Sequence, residues 1–215
     1  VGNLVSRFKI EDNGSGSLQA VPAYDKSEFL ASTDERFRPV NLINGPDGAL
    51  YIVDMYREII EDYSAIPRFL QQQYGLDKGG DHGRIWRLVP ESEPRRRIDD
   101  FSEFSGEQLA HATGDASFWR RLTAQRLLIE RLDASAAKTL SAQLGARARP
   151  QASIHALHTL DGLGKLRAPH VAQALAHEHY GVRVHGLRLA ERWLDTDDSL
   201  AAKVVAMTAD TDPRE

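Results

Sequence analysis

The chain has 215 residues, of which 41% are hydrophobic and 27% charged, and a formal net charge of −4. That is the composition of an ordinary globular protein, long enough for one large domain or two modest ones. Near-balanced charge excludes a broad nucleic-acid or anionic-membrane surface, and the lack of cysteine excludes disulfides, thiolate zinc sites and covalent haem attachment within the chain.

No apolar run approaches the length of a membrane span, and no signal peptide is visible. The chain opens on Val1. It is therefore expected to be an excerpt of a larger protein.

Residues 1–90 carry the short alternating runs of β structure. Residues 4–10 form a first apolar–polar alternation, bounded by the turn-forming Asp12, Asn13, Gly14, Ser15 and Gly16. Residues 37–42 predict a strand, residues 44–48 (Asn-Gly-Pro-Asp-Gly) a tight reversal, and residues 49–54 a second strand rich in β-branched and aromatic side chains. A third strand is expected over residues 83–89, ended by Pro90. This rhythm predicts a β-propeller blade: the last one, with the tail of the blade before it. Between its second and third strands lies an insert from Met55 to Gly80, helical over residues 66–74. In a blade such a loop emerges on the face that often holds ligands, so it is the most function-like stretch of the chain.

Residues 91–102 read as a linker containing Pro94 and the solvated run Arg95, Arg96 and Arg97. The period then changes from two to 3.6. Ser105 and Gln108 predict a capping box. From residue 103 to 215 the pattern predicts three HEAT-like helical pairs. Their first helices carry the small residues Ala124, Ala156 and Gly186, about 30 residues apart. Their second helices are the alanine-rich stretches 136–140, 170–175 and 200–205. Trp119 and Trp193 belong to the repeat core in this reading. The expected class is thus β plus α: terminal propeller blades, then a helical solenoid.

Candidate site residues come from the insert. Asp54, Arg57 and Glu58 leave the second strand toward the ligand face. Arg57 can clamp an anionic cofactor or substrate with its guanidinium fork, with Asp54 or Glu58 orienting it or joining a cation site. The competing reading is an ion pair that pins the insert to the blade. His82, after Asp81, could serve as base or ligand, yet it stands alone in a loop without a paired carboxylate or hydroxyl motif. Asp47 reads as a turn residue. His155 and His158 share a helix face, with His177 and His179 nearby in sequence, but no third ligand completes a metal spacing. No nucleophile elbow, phosphate loop or dinucleotide fingerprint occurs.

Residues 29–61 and 80–90, with Asp34, Arg36, Arg38, the Asn44–Gly48 turn, the Tyr51-Ile52-Val53-Asp54 strand and the Gly83-Arg84-Ile85-Trp86 strand, together resemble a known family. It is that of the planctomycete-type membrane-bound dehydrogenase or haem-binding-domain proteins. In that family a glucose/sorbosone dehydrogenase-like propeller precedes HEAT repeats and, in many members, a cytochrome c module. The resemblance implies an exported or periplasmic oxidoreductase that acts on a sugar or polyol. A PQQ-type quinone, Ca²⁺ and haem c would belong to the full-length protein, with no cofactor or metal held within this chain. It also implies a sugar or polysaccharide ligand and a protein partner on the HEAT surface. The alternative is a non-catalytic propeller–HEAT protein that grips a polysaccharide or protein. Because one blade cannot enclose a channel, the isolated chain is expected to lack dehydrogenase activity.

Overall fold

A reversal at residues 44–48 organises the β-rich part. In the computed structural model the Gly45 N–H donates to Ala49 O (2.9 Å) and the Gly48 N–H to Gly45 O (3.1 Å), closing the turn. The structure describes residues 3–12, 17–59, 65–76, 78–91, 97–209 and 212, and the boundary between its two compact units falls between Arg97 and Ile98. A β-rich unit therefore precedes a helical one.

In the first unit, β1 (Leu4–Val5) pairs antiparallel with β4 (Leu30–Ala31), and β2 (Phe8–Asp12) with β3 (Leu18–Pro22). The alternating run at residues 4–10, expected as one strand, is split between these two ribbons. Its first two residues and its last three take different partners. The principal sheet has the order β5 (Pro39–Asn44), β6 (Leu50–Asp54), β7 (Arg84–Leu88), all antiparallel, with a register shift between Pro39 and Asn41. Leu42, Ile52 and Trp86 line up across one face, and Ile43, Tyr51 and Arg87 across the other. Asp47 is buried at the turn, where it accepts from the Ala49 N–H (3.1 Å) and from Arg87 Nε (2.6 Å) across the sheet. Burial alone would raise its carboxyl, but these donors hold it below the usual carboxylate range. The turn residue is thus also a cross-strand clamp. The insert contains α1 (Arg68–Tyr74), close to the helical stretch expected at 66–74.

The helical unit starts at Ile98, inside the expected linker. Phe101 is buried, stacks on Phe104 (4.6 Å) and lies under the Arg120 guanidinium, which pairs with Asp99 (2.7 Å) and Asp115 (2.9 Å). Of the rest of the linker, residues 92–96, with Pro94, Arg95 and Arg96, lie outside the described residues. Helix α2 (Gly106–Ala112) opens on the expected capping box: the Gln108 N–H donates to Ser105 Oγ and the Ser105 N–H to Gln108 Oε1 (2.8 Å).

Next come α3 (Phe118–Glu130), α4 (Ala137–Ala142), α5 (Pro150–Gly162), α6 (Ala168–Leu175), α7 (Tyr180–Ala190) and α8 (Asp198–Ala206). Helices α3, α5 and α7 pack in succession, and α2 packs on α4 and α6 on α8. The tightest partner of each of α3, α5 and α7 is the helix before it, whereas the sequence grouped each with the helix after it. Gly186 gives the reason. A Cβ there would stand 3.1 Å from both Ala174 Cβ and Leu175 Cδ2, so the small residue is what lets α7 close on α6. Ala124 and Ala156 are fully buried at the equivalent positions. Trp119 and Trp193 are partly buried against this core.

Several histidines of this unit are spent internally. His155 Nδ1 lies 2.7 Å from Gln125 Oε1, His158 Nε2 lies 2.9 Å from His185 Nδ1, and buried His177 bridges Ala148 O and the His179 N–H. Burial, then Arg121 and His158, push the His155 pKa down to about 4, and burial also lowers His158, His170 and His185. Folded values below the unfolded value of about 6.5 mean that the unfolded chain binds more protons as pH falls. Stability should therefore be full above about pH 6.5 and decline toward the folded values. Urea titrations should show the midpoint falling between about pH 6.5 and 5, above most carboxylate titration, and His155→Gln should flatten that decline.

Candidate functional site

The chain leaves β6 through Asp54, whose buried side chain decides the path of the insert. Asp54 Oδ1 accepts from the Arg38 N–H (2.9 Å) and the Tyr56 N–H (3.0 Å), and Oδ2 accepts from Trp86 Nε1 (3.0 Å), with Arg84 Nε 3.6 Å away. A carboxylate removed from water must collect donors, and those available come from three separate segments. The bond to the Tyr56 N–H, two residues on, turns the chain out of the strand.

Tyr56 has φ 50°, a left-handed conformation that costs a non-glycine residue about 1–2 kcal/mol. The Arg84 guanidinium stands 3.9 Å over the centre of its ring, and the His82 ring lies 5.8 Å from it. Tyr56, Arg36, Lys78, Asp81 and His82, with the backbone of Gly79 and Gly80, line an open cleft of about 760 Å³. Gly79 has φ 91° and lies so near Tyr56 that an added Cβ would meet the Tyr56 carbonyl, so both its conformation and its lack of side chain are required.

The three residues expected to act together are separated by this geometry. Asp54 is buried, with both oxygens turned to the protein. Glu58 faces Arg36, its Oε2 2.9 Å from Arg36 Nε, and its carbonyl accepts from Arg38. Arg57 lies against Gly80, where a Cβ would collide with its guanidinium. Among the described residues Arg57 has no hydrogen-bond or ion-pair partner.

His82 is not the isolated loop histidine that its sequence context implied. Its Nδ1 lies 2.6 Å from Asp81 Oδ1, and both side chains are exposed. The Asp81 carboxyl is held below the usual range by a backbone N–H, by His82 and, more weakly, by Arg57. The cleft thus holds an imidazole oriented by a carboxylate, a fixed phenol and several cations. Sequence reasoning missed Arg36, Tyr56 and Lys78. A signal for the pair was present in the adjacency of Asp81 and His82. Nothing local marks Tyr56, because its conformation is imposed by Asp54 and Arg84. Among the described residues no group of three or more histidines and carboxylates comes together around a common point.

Removing the Asp54 carboxylate should leave the Trp86 indole, two backbone N–H groups and Arg84 without their acceptor. Asp54→Ala is expected to cost about 3 kcal/mol, whereas Glu58→Ala, at a half-exposed ion pair, should cost less than about 1 kcal/mol. Denaturant unfolding of the two variants, followed by Trp86-sensitive near-ultraviolet circular dichroism, measures the difference.

Residues 1–92 match the family described as a domain of unknown function (DUF7133). No curated protein and no solved structure matches the chain.

Proposed function

We propose that the β5–β7 sheet is a blade of a β-propeller oxidoreductase that acts on a sugar or polyol, and that the helices after it form a HEAT-like solenoid serving as scaffold. The observation that carries the chemistry is the Asp81–His82 pair, 2.6 Å apart on the wall of the cleft. Alcohol oxidation requires a base for the hydroxyl proton. With Nδ1 engaged by Asp81, the Nε2 atom of His82 is free to take that proton, and the carboxylate stabilises the imidazolium that results. Tyr56 and the cations beside it supply a polar wall against which a hydroxylated ring can be oriented.

Two packing features support the architecture. Leu42 and Trp86 on one face of the sheet, and Ile43 and Ile85 on the other, are all exposed. A sheet apolar on both faces expects a packing layer on each side, as a blade between blades has. In the helical unit, successive pairs repeat about every 30 residues and bury one continuous core, the pattern of a solenoid.

In this reading a PQQ-type quinone and its Ca²⁺ ion belong to the full-length protein. The Tyr56 ring is covered on one face by Arg84 at 3.9 Å, and among the described residues no group of three or more carboxylates and histidines comes together. On this reading the hydride acceptor is supplied by the full-length protein, and His82 serves the proton half. No helix among the described residues is long and apolar enough to cross a membrane.

In the full-length protein, dye reduction with sugar substrates should be lost by about a hundredfold or more in kcat in His82→Gln, with a smaller loss in Asp81→Asn. Turnover that survives His82→Gln unchanged, or no turnover of any sugar by the unaltered protein, overturns this reading. The isolated chain should give no turnover.

A further inference from the structure

His82 is held by more than its ring. Its N–H donates to Gly79 O (3.2 Å), its carbonyl accepts from Arg84 Nε (3.1 Å), and its Nδ1 meets Asp81. The turn that carries it packs on Tyr56, because a Cβ at Gly79 would meet the Tyr56 carbonyl and stand 3.2 Å from the ring. Arg84 joins the two parts of this arrangement. It pairs in register with Asp54 at the start of β7, and the two side chains meet there at 3.6 Å. From that position its guanidinium stands 3.9 Å over the centre of the Tyr56 ring while Nε donates to His82. A guanidinium can cover an aromatic ring and at the same time donate an N–H to a carbonyl. A lysine ammonium, a point charge on a flexible stem, does not combine the two.

We propose that Arg84 is the positioning residue of the cleft. Bonded to the His82 carbonyl and seated on Tyr56, it fixes the spacing of imidazole and phenol, whose ring centres lie 5.8 Å apart. That spacing sets the place where a substrate hydroxyl meets Nε2. The proposal rests on the reading of His82 as the base. Arg84 is not among the residues that line the cleft, so it acts on the reaction through His82 and Tyr56. A base displaced by about 1 Å loses much of the advantage of being held in place.

Nuclear Overhauser contacts in the 215-residue chain and kinetics of the full-length protein test this together. In the unaltered chain the ring protons of Tyr56 and His82 should be in contact. In Arg84→Ala that contact should vanish while the chain stays folded, because Asp54 keeps the Arg38 and Tyr56 amides and the Trp86 indole. In full-length Arg84→Ala, kcat per folded molecule should fall about tenfold or more, with KM within about twofold. Arg84→Lys, which keeps the charge beside Asp54, should behave like Arg84→Ala. An unchanged ring contact, an unchanged kcat per folded molecule, or full rescue by lysine overturns the proposal, because Arg84 would then serve stability or charge alone. Should Arg84→Ala fail to fold, Arg84→Lys gives the same two readings. If the unaltered full-length protein turns over no sugar, the base reading falls, and the ring contact alone decides whether Arg84 positions the cleft.

Discussion

The carboxylate of Asp54 is the constraint from which the β-rich unit takes its form. It is almost fully buried at the end of β6, and its two oxygens gather the Arg38 and Tyr56 amides, the Trp86 indole and the flank of Arg84. An unmet charge in that position would cost several kcal/mol, so β5, β7 and the start of the insert must all arrive there with donors. The same bonds push Tyr56 into the left-handed region, and that single residue then sets the wall of the cleft. Stability and site geometry are here two consequences of one buried charge.

The cleft is built from what Asp54 releases. Asp54 is saturated by the protein and Glu58 faces Arg36, whereas Arg57 makes no hydrogen bond or ion pair among the described residues and acts on Asp81 only through its charge. The glycines at 79 and 80 bring the loop in close enough for Tyr56 and Arg57 to touch its backbone. Asp81 and His82 come directly after them, with the imidazole oriented by its own neighbour. An imidazole, a polar wall and the Lys78 ammonium thus come from a stretch of chain bounded by β6 and β7.

The helical unit obeys a different logic, in which small residues set distance. Gly186 admits the Ala174 and Leu175 side chains, and the buried Ala124 and Ala156 hold the corresponding places in α3 and α5. Polar groups that would weaken such a core are satisfied across helices, as with His155 on Gln125 and His158 on His185. These histidines respond to pH through burial and packing rather than through a ligand site.

Local chemistry alone determined a good deal. The turn at residues 44–48 and the strands on either side of it arise from proline, glycine and β-branched residues placed where only one backbone path suits them. The Ser105–Gln108 capping box and the helices around Ala124, Ala156 and Gly186 arise from spacing in the same way. Tertiary structure decided which elements meet. Residues 4–10 were divided between two ribbons because strand pairing depends on distant partners. Each of α3, α5 and α7 packs most on the helix before it, and at Gly186 of α7 the small residue is what opens the face that meets α6, which spacing does not state. Asp54, Arg57 and Glu58 look alike in sequence as charged neighbours leaving a strand. Burial separated them into an anchor, a cation with no hydrogen bond or ion pair among the described residues and half of an ion pair, and burial is a property of the folded chain.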